Sequence, residues 1–553
     1  MKILSIHDGH NASAAVIENN EILSAVSEER LNRVKYFAGW PQKAIAMALG
    51  LAGISPKEID VISVSHLGTF SYIKRKLSLK STYTSGRPKI ILGHLYHIYT
   101  VAKRELKIRW FAKQFARKKF FFCDHHLGHA ASAYYCSGFD EALVVTIDGQ
   151  GDGLSHTAWA AKSGDWQKVT QGGSEESLGA FYAAITEGLG FKPNRHEGKI
   201  VGLAAFSDGK LRNKLEPLVI ASQDRMHFKR QGRKEMIGKV KQWKEQGYSR
   251  EDIADYGQNL LEEMVIPYIR ALAEKTGLKK LALAGGVFAN VKLNQRIVEQ
   301  CAVEEIFIQP AMGDEGIVLG SALHCYWQGQ IRLGKKYQPN AFKNVYFGNG
   351  YTAAEAEALM KDVRNDYKVE EVENLEQRVA RLVAEGKLVG WFDGRMEFGP
   401  RALGSRSILG DPRNKKINDI LNERLRRSEF MPFAPSVLAE YANEIFENTE
   451  AAFHTAEFMA ITFNVKPAWQ EKIPAIVHVD GTCRPQLVKK EVNPRYWQVI
   501  DEFRKISGVP LVLNTSFNIH EEPIVATLYD GLRSLKQRAV DYVAMGRYLI
   551  TNK

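Results

Sequence analysis

The chain has 553 residues, of which 45% are hydrophobic, 25% charged and 10% aromatic. At roughly 150 residues per domain that length exceeds one hydrophobic core, and two globular units are expected. The composition excludes a disordered or low-complexity chain, and five scattered cysteines with no C-x-x-C pair exclude a disulfide framework and a structural zinc site. The net charge of +12 is uneven: residues 71–120 hold fourteen lysines and arginines against the single acid Glu105, and the remainder is close to neutral. The N-terminus carries no signal-peptide pattern, and no stretch reaches the ~20 uncharged apolar residues of a membrane span. A cytoplasmic protein is expected, with the basic segment able to hold it at the inner membrane surface.

In chain order, short strands are predicted at Lys2–Ile6, Ala12–Glu18 and Glu21–Ser27, with a polar turn at His7–Asn11 and a tight one at Asn19–Asn20. A related strand–turn–strand unit returns at 141–161, again with Asp and Gly in the turn, which suggests an internal duplication. Helical spacing follows at Pro41–Leu51, Ser177–Leu189 and Arg250–Lys275. A strand at Lys280–Ala284 runs into Gly285-Gly286 and a helix at Val291–Cys301. Next come a strand at Glu305–Gln309, a loop with Asp314 and a helix at Gly316–Gln328. Strands alternating with helices make the fold class α/β. The Gly-, Lys- and Asn-rich stretch from Gly334 to Tyr351 is read as a boundary between a domain of residues 1–340 and a smaller α/β domain of residues 341–553. Helices at Thr352–Val363 and Leu375–Glu385 open the second.

Asp124 is a helix cap for HHLGHAASAYY, whose His125 and His129 stand four residues apart and so project from one face. By itself an H-x-x-x-H pair is as often ordinary surface or core. Asp148 in a glycine-bounded turn and Asp314 in MGDEG add hard oxygen ligands, and two imidazoles with two carboxylates suit divalent iron, manganese or zinc better than calcium or magnesium. Gly285-Gly286 before a helix lets backbone approach a nucleotide. Farther on, DGRMEFGPRALGSRSILGDPRN sets Arg395, Arg401, Arg406 and Arg413 in short turns, as rigid forks suited to phosphate.

The runs HHLGHAASA, TIDGQGDG, AGGVFANVKLN and MGDEG resemble the N-terminal domain of the O-carbamoyltransferases that modify nodulation factors, cephamycin and aminoglycosides. That domain is similar to the tRNA threonylcarbamoyladenosine transferase and has a duplicated actin/sugar-kinase fold. MPFAPSV, VDGTCRPQLV and LNTSFNIHEEPIV resemble the family's C-terminal domain, which is similar to threonylcarbamoyl-adenylate synthase. The resemblance implies His125, His129, Asp148 and Asp314 as ligands of a divalent metal, iron(II) first and manganese or zinc otherwise, with His126 and Ser132 beside them. It implies His10 and Asn11 of HDGHNAS at the transferred group, with His10 as candidate acid or base. It implies Gly285, Gly286, Asn290 and Asn294 at adenosine. Arg427, Arg484 and Ser516, supported by Asn514 and Asn518, would bind carbamoyl phosphate or the phosphates of ATP with its Mg2+. Many relatives carry Lys and Arg where this chain has Leu425 and Met431; Arg424 or Arg426 could replace the charge.

The function so implied is ATP-dependent transfer of a carbamoyl group from carbamoyl phosphate, through carbamoyl-adenylate, to a hydroxyl of a sugar or natural product. Two rivals are a tRNA carbamoyl- or threonylcarbamoyl-modifying enzyme and a non-catalytic nucleotide-binding module. The first is disfavoured because the charge sits in one segment without a nucleic-acid-binding motif. That segment combines its charge with Leu95, Tyr96, Ile98, Tyr99, Val101, Leu106, Ile108, Trp110, Phe111 and Phe115 at helical spacing, the pattern of an interfacial helix for anionic lipid or an acidic glycan. The alternative is an insertion whose apolar side packs on the N-terminal domain. A homodimer stays open.

Overall fold

The structure, a computed structural model, describes residues 1–78, 88–115, 119–209, 211, 214–426 and 433–553, without the side chains of 76–97. Arg427, Met431, Arg117 and Lys118 lie outside the described residues, as do the side chains of Leu95 and Tyr96.

The first sheet holds Lys2–His7, Ser13–Glu18 and Glu21–Ser27 as an antiparallel meander, with Val61–Val64 and Lys119–Phe122 parallel to Lys2–His7 on its other side. A second sheet repeats the plan with Glu141–Gly151, Leu154–Lys162, Asp165–Gly173, Lys280–Ala284 and Glu305–Ile308. The spatial order 3-2-1-4-5 occurs in both, so the duplication expected from two strand–turn–strand units extends to all five strands of each sheet. This doubled sheet is the actin/sugar-kinase arrangement.

Two helices lie between the sheets. His125–Ser137 packs on the second sheet and Ile317–Arg332 on the first, and the two helices pack on each other. A Cβ on Gly320 would stand 1.8 Å from the Gly128 carbonyl oxygen, so glycine permits this close helix approach. The predicted helices appear at Gln42–Ala52, Leu178–Gly188, Arg250–Thr276, Val291–Gln300, Ala353–Val363 and Leu375–Ala384. Gly53 and Gly277 close two of them in the left-handed region.

The C-terminal half is built on an eight-stranded mixed sheet. Its order is Tyr367–Glu371, Tyr548–Asn552, Tyr542–Met545, Val389–Phe392, Arg406–Gly410, Leu511–Ser516, Ala434–Leu438 and Gln486–Val488. The Gly334–Tyr351 stretch lies against both halves: Phe342 N–H donates to the Cys136 carbonyl at 2.8 Å, and Gly348 N–H to that of Met396 at 2.9 Å.

The basic segment forms a helix, Pro88–Phe111. Ile108, Ala112 and Phe115 are buried in the core on the outer face of the first sheet, while Tyr99, Leu106 and Trp110 are exposed. The insertion therefore packs one apolar side on the N-terminal half and still presents a second, solvent-facing apolar stripe. No helix among the described residues is long and apolar enough to cross a membrane.

Candidate metal centre and its neighbouring polar clusters

The two sheets bring the carboxyl ends of their central parallel strands together, the end at which open α/β sheets place ligands. Lys2–His7 delivers the turn with His10 and Asn11; Glu141–Gly151 delivers Asp148; and Glu305–Ile308 leads into the loop with Asp314. Lys119–Phe122 leads into the helix carrying His125 and His129, whose N-terminus Asp124 caps by accepting from Leu127 N–H at 2.8 Å.

His125, His129, Asp148 and Asp314 converge, with one ligand atom from each lying within 4.8 Å of all the others. His125 Nε2 is 3.4 Å from Asp148 Oδ2 and 3.5 Å from Asp314 Oδ1, and His129 Nε2 is 3.4 Å from Asp314 Oδ1. His129 is fully buried and neither of its ring nitrogens has a hydrogen-bond partner, a costly arrangement unless something else takes the lone pair. Two imidazoles and two carboxylates with an unpartnered buried nitrogen fit a divalent transition ion. A Cβ on Gly151 would fall 2.0 Å from the His125 ring, so this turn requires glycine to seat the imidazole.

The charges reinforce one another. Burial opposes ionisation of His125, but the carboxylates of Asp314 and Asp148 outweigh it and raise its pKa to about 9. Burial likewise pushes Asp148 up, and the His125 hydrogen bond and the charge of His129 more than reverse this. Asp314 is also lowered, by His125, against its desolvation. Around these four, His126 Nδ1 meets Thr146 Oγ1 at 2.8 Å and Ser132 Oγ donates to the His129 carbonyl at 2.7 Å, so both expected neighbours brace the ligand helix.

Other side chains at the centre carried no signal that was read from the sequence. His7 Nε2 lies 3.9 Å from Asp314 but donates to the His10 carbonyl at 3.0 Å, while burial lowers its pKa to about 4. Glu315, beside Asp314, accepts from Asn11 Nδ2 at 3.0 Å, and burial lifts its pKa to about 7. Their positions next to DGHN and within MGDEG were the available clue. His10 is exposed and stacks on Tyr36 at 5.9 Å. The basic segment reaches this rim: Arg104 Nε is 3.2 Å from Asp8, and Arg75 pairs with the capping Asp124.

The expected nucleotide segment forms a 3-10 turn, Gly286–Ala289, with Gly286 exposed. Asn290 caps the next helix at Leu293 N–H, and its amide donates to Gln258. Asn294 donates to the carbonyls of Phe288 and Ala460. These two asparagines shape the segment; Gly286 and Ala289 face solvent, and the Gly286 N–H donates to Asp148 Oδ1 at 2.9 Å.

In the C-terminal half, Asn514 Nδ2 donates to Ala402 O, Ser436 Oγ and Gln486 Oε1, and Asn518 Nδ2 to the carbonyls of Ile519 and Glu522. Ser516 ends the strand Leu511–Ser516 partly buried, with the partly buried Arg484 two residues before Gln486. Three arginines read as phosphate forks are committed elsewhere. Arg406 is fully buried, donates to the carbonyls of Asp393, Gly394, Ser405 and Asn349, and stacks on Phe392. Arg395 donates to Gly348, Phe347 and Leu23 carbonyls, and Arg413 pairs with Asp411. Main-chain carbonyls use the donors of Arg406 and Arg395 and a carboxylate uses those of Arg413, which overrides the phosphate reading. Arg401 differs in its neighbours: its Nε is buried without a hydrogen-bond partner, as that of Arg406 is, but its electrostatic partners are Tyr36 and Glu315 of the N-terminal half.

Residues 2–323 match the family described as Carbamoyltransferase N-terminus, and residues 380–552 that described as Carbamoyltransferase C-terminus. An uncharacterized protein of Methanocaldococcus jannaschii is 34% identical over 99% of each chain. Nodulation protein NolNO of Sinorhizobium fredii is 33% identical over 98% of this chain and 79% of its own. The Acidaminococcus fermentans (R)-2-hydroxyglutaryl-CoA dehydratase component A structure aligns with 59% of this chain and 98% of its own at 16% identity and a TM-score of 0.33. Matched in order by both family halves and along nearly its whole length by these relatives, the chain belongs to the carbamoyltransferase family.

Proposed function

We propose that this carbamoyltransferase moves the carbamoyl group of carbamoyl phosphate, through carbamoyl-adenylate, to a hydroxyl of a sugar or natural product. The observation that carries the reading is the convergence of His125, His129, Asp148 and Asp314 at the strand ends. The polar cluster around Asn514 lies on the far side of a shared loop. In the C-terminal half, water would release phosphate from carbamoyl phosphate, and the resulting carbamate would displace pyrophosphate from ATP·Mg2+ to give carbamoyl-adenylate. Arg484 and Ser516, joined by Arg427, would hold the anionic donor, an electrostatic task suited to preorganised donors. Asn514 would keep that pocket's wall in place through its three hydrogen bonds.

In the N-terminal half, His125, His129, Asp148 and Asp314 would hold a divalent ion, iron(II) by the family resemblance, which when bound supplies Lewis acidity toward the carbamoyl oxygen. The Gly285–Gly286 backbone would seat the adenylate. Asn11, fixed by Glu315, would orient the carbamoyl group, and His10 at the exposed rim would take the acceptor's proton. Separating donor activation from transfer keeps a labile intermediate away from bulk water.

The loop Phe398–Gly404 supports this coupling. Gly399 O accepts from Arg30 at 2.8 Å on the N-terminal side, while Ala402 O and Leu403 O accept from Asn514 and Gln486 on the other. The test is pyrophosphate release from ATP on addition of carbamoyl phosphate, followed by mass spectrometry of hydroxylated acceptors for the gain of one carbamoyl group. Absence of carbamoyl-phosphate-dependent pyrophosphate release refutes the reading. Release that requires tRNA favours the nucleic-acid alternative.

A further inference from the structure

A second histidine–carboxylate cluster lies on the opposite face of the second sheet. His156 sits on Leu154–Lys162, Glu176 ends the short turn Ser174–Glu176, and His227 precedes the strand Phe228–Arg230. One ligand atom from each lies within 4.8 Å of the other two. Side chains alternate along a strand, and His156 points away from its neighbour Thr157, whose hydroxyl meets Thr146 at 2.8 Å toward His126 and the first centre. The two clusters are therefore separate.

Hydrogen bonding to Ser155 favours one tautomer of His156. Ser155 Oγ donates its proton to the Gly173 carbonyl at 2.7 Å, so in its 3.2 Å contact with His156 Nδ1 it accepts. Nδ1 then carries the ring proton and Nε2 the lone pair. Nε2 is buried without a hydrogen-bond partner, and the residue is 1% exposed. The Met226 carbonyl is its other polar neighbour. Phe228 and Tyr268 pack edge-on at 5.2 and 5.5 Å and hold the ring in place. Glu176 Oε2 already accepts from His227 Nδ1 at 3.0 Å and from Phe228 N–H at 2.9 Å, so the carboxylate and the second imidazole are in register.

We propose that His156, Glu176 and His227 form a second site for a divalent transition ion of the zinc class. Two imidazoles and one carboxylate match the donor set of zinc sites with three protein ligands, and a fourth position remains for water beside the exposed His227. The braced tautomer of His156 is the arrangement that metal-binding histidines use. An ion there would join the strand, the turn and the hairpin Val219–Arg230 into one unit.

Full-length protein stripped with chelator and titrated with Zn2+ alone tests this by metal content and chelator competition. Wild type should take up two zinc ions per chain. His227→Ala and His125→Ala should each take up one, and the double variant none. His227→Cys, which restores a ligand, should recover the second ion. Loss at this site should exceed the ~10–100-fold weakening typical of losing an outer partner of a metal ligand. Equal zinc content and affinity in wild type and His227→Ala overturns the proposal. So does loss of the ion in His227→Ala that His227→Cys fails to restore, since packing would then explain it.

Discussion

Glu397→Gln should impair both half-reactions at once, because Glu397 shapes the loop on which both halves of the protein bear. The carboxylate is 3% exposed, and its Oε1 accepts from the N–H groups of Leu403, Ser405 and Arg406 at 2.8, 2.7 and 3.1 Å. Glutamine keeps an acceptor oxygen but turns three charge-assisted bonds into neutral ones, which costs about 1 kcal/mol each and ~3 kcal/mol together as an upper figure for coupled bonds. Alanine leaves three buried N–H groups unsatisfied at ~1–3 kcal/mol apiece. For a domain of 150–250 residues each kcal/mol lowers the melting temperature by about 2–4 °C, so glutamine should lower the apparent Tm by roughly 6–12 °C and alanine by more. Calorimetry would read the shift. Pyrophosphate release and transfer from supplied carbamoyl-adenylate would read the two activities separately. A glutamine variant that melts with wild type and performs both reactions normally refutes the role given to this loop.

His125→Ala or Asp314→Ala should lose the metal of the first centre and acceptor carbamoylation, while pyrophosphate release stays close to wild type in the same coupled assay. Arg484→Ala or Ser516→Ala should do the reverse. Loss of one charge-assisted contact at ~1.5–3 kcal/mol slows pyrophosphate release roughly ten- to a hundredfold, with supplied carbamoyl-adenylate still used. Co-sedimentation with anionic vesicles should be salt-sensitive and fall when Lys103, Trp110 and Lys113 become Gln, since each basic residue near such a surface contributes ~1 kcal/mol; equal, negligible binding by both proteins at low salt refutes it. Asp480 is depressed: its desolvation is outweighed by His478 and by Lys292 Nζ at 2.7 Å, so its stabilisation is present above the ordinary carboxylate range and is lost as pH falls through the lowered value. Asp480→Asn should lower the apparent Tm at pH 7, and the gap to wild type should begin to narrow below about pH 4; a gap unchanged at low pH would exclude the linkage.

The N-terminal half was legible because its signals are local. A strand that alternates, a turn of Asp and Gly and a pair of histidines one helical turn apart each announce themselves within a dozen residues. The duplication is legible that way, and so is the His125–His129 pair, while Asp148 and Asp314 join it through the family resemblance and the fold brings all four together. Val61–Val64 and Lys119–Phe122 were missed. The first is four buried residues long, and the second follows directly on a basic run that reads as surface. The C-terminal sheet was less legible still, since it pairs Tyr367–Glu371 with Tyr548–Asn552, and no periodicity connects strands so far apart in sequence.

The arginines of the loop show the deeper limit. Sequence reports that a rigid fork of donors is present, but not whether the acceptors are a ligand's oxygens or the chain's own. In Arg406 the Nη1 and Nη2 donors are met by the carbonyls of Asp393, Gly394, Ser405 and Asn349, so the cation completes the fold. Arg401, five residues earlier in the same motif, has its electrostatic partners in Tyr36 and Glu315 of the N-terminal half. Burial lowers its pKa, a strain that a nearby anion would relieve. Identical residue types in one loop thus divide between holding the chain and facing the shared interior. What decides between them is the set of distant carbonyls each one meets, which only the folded chain supplies.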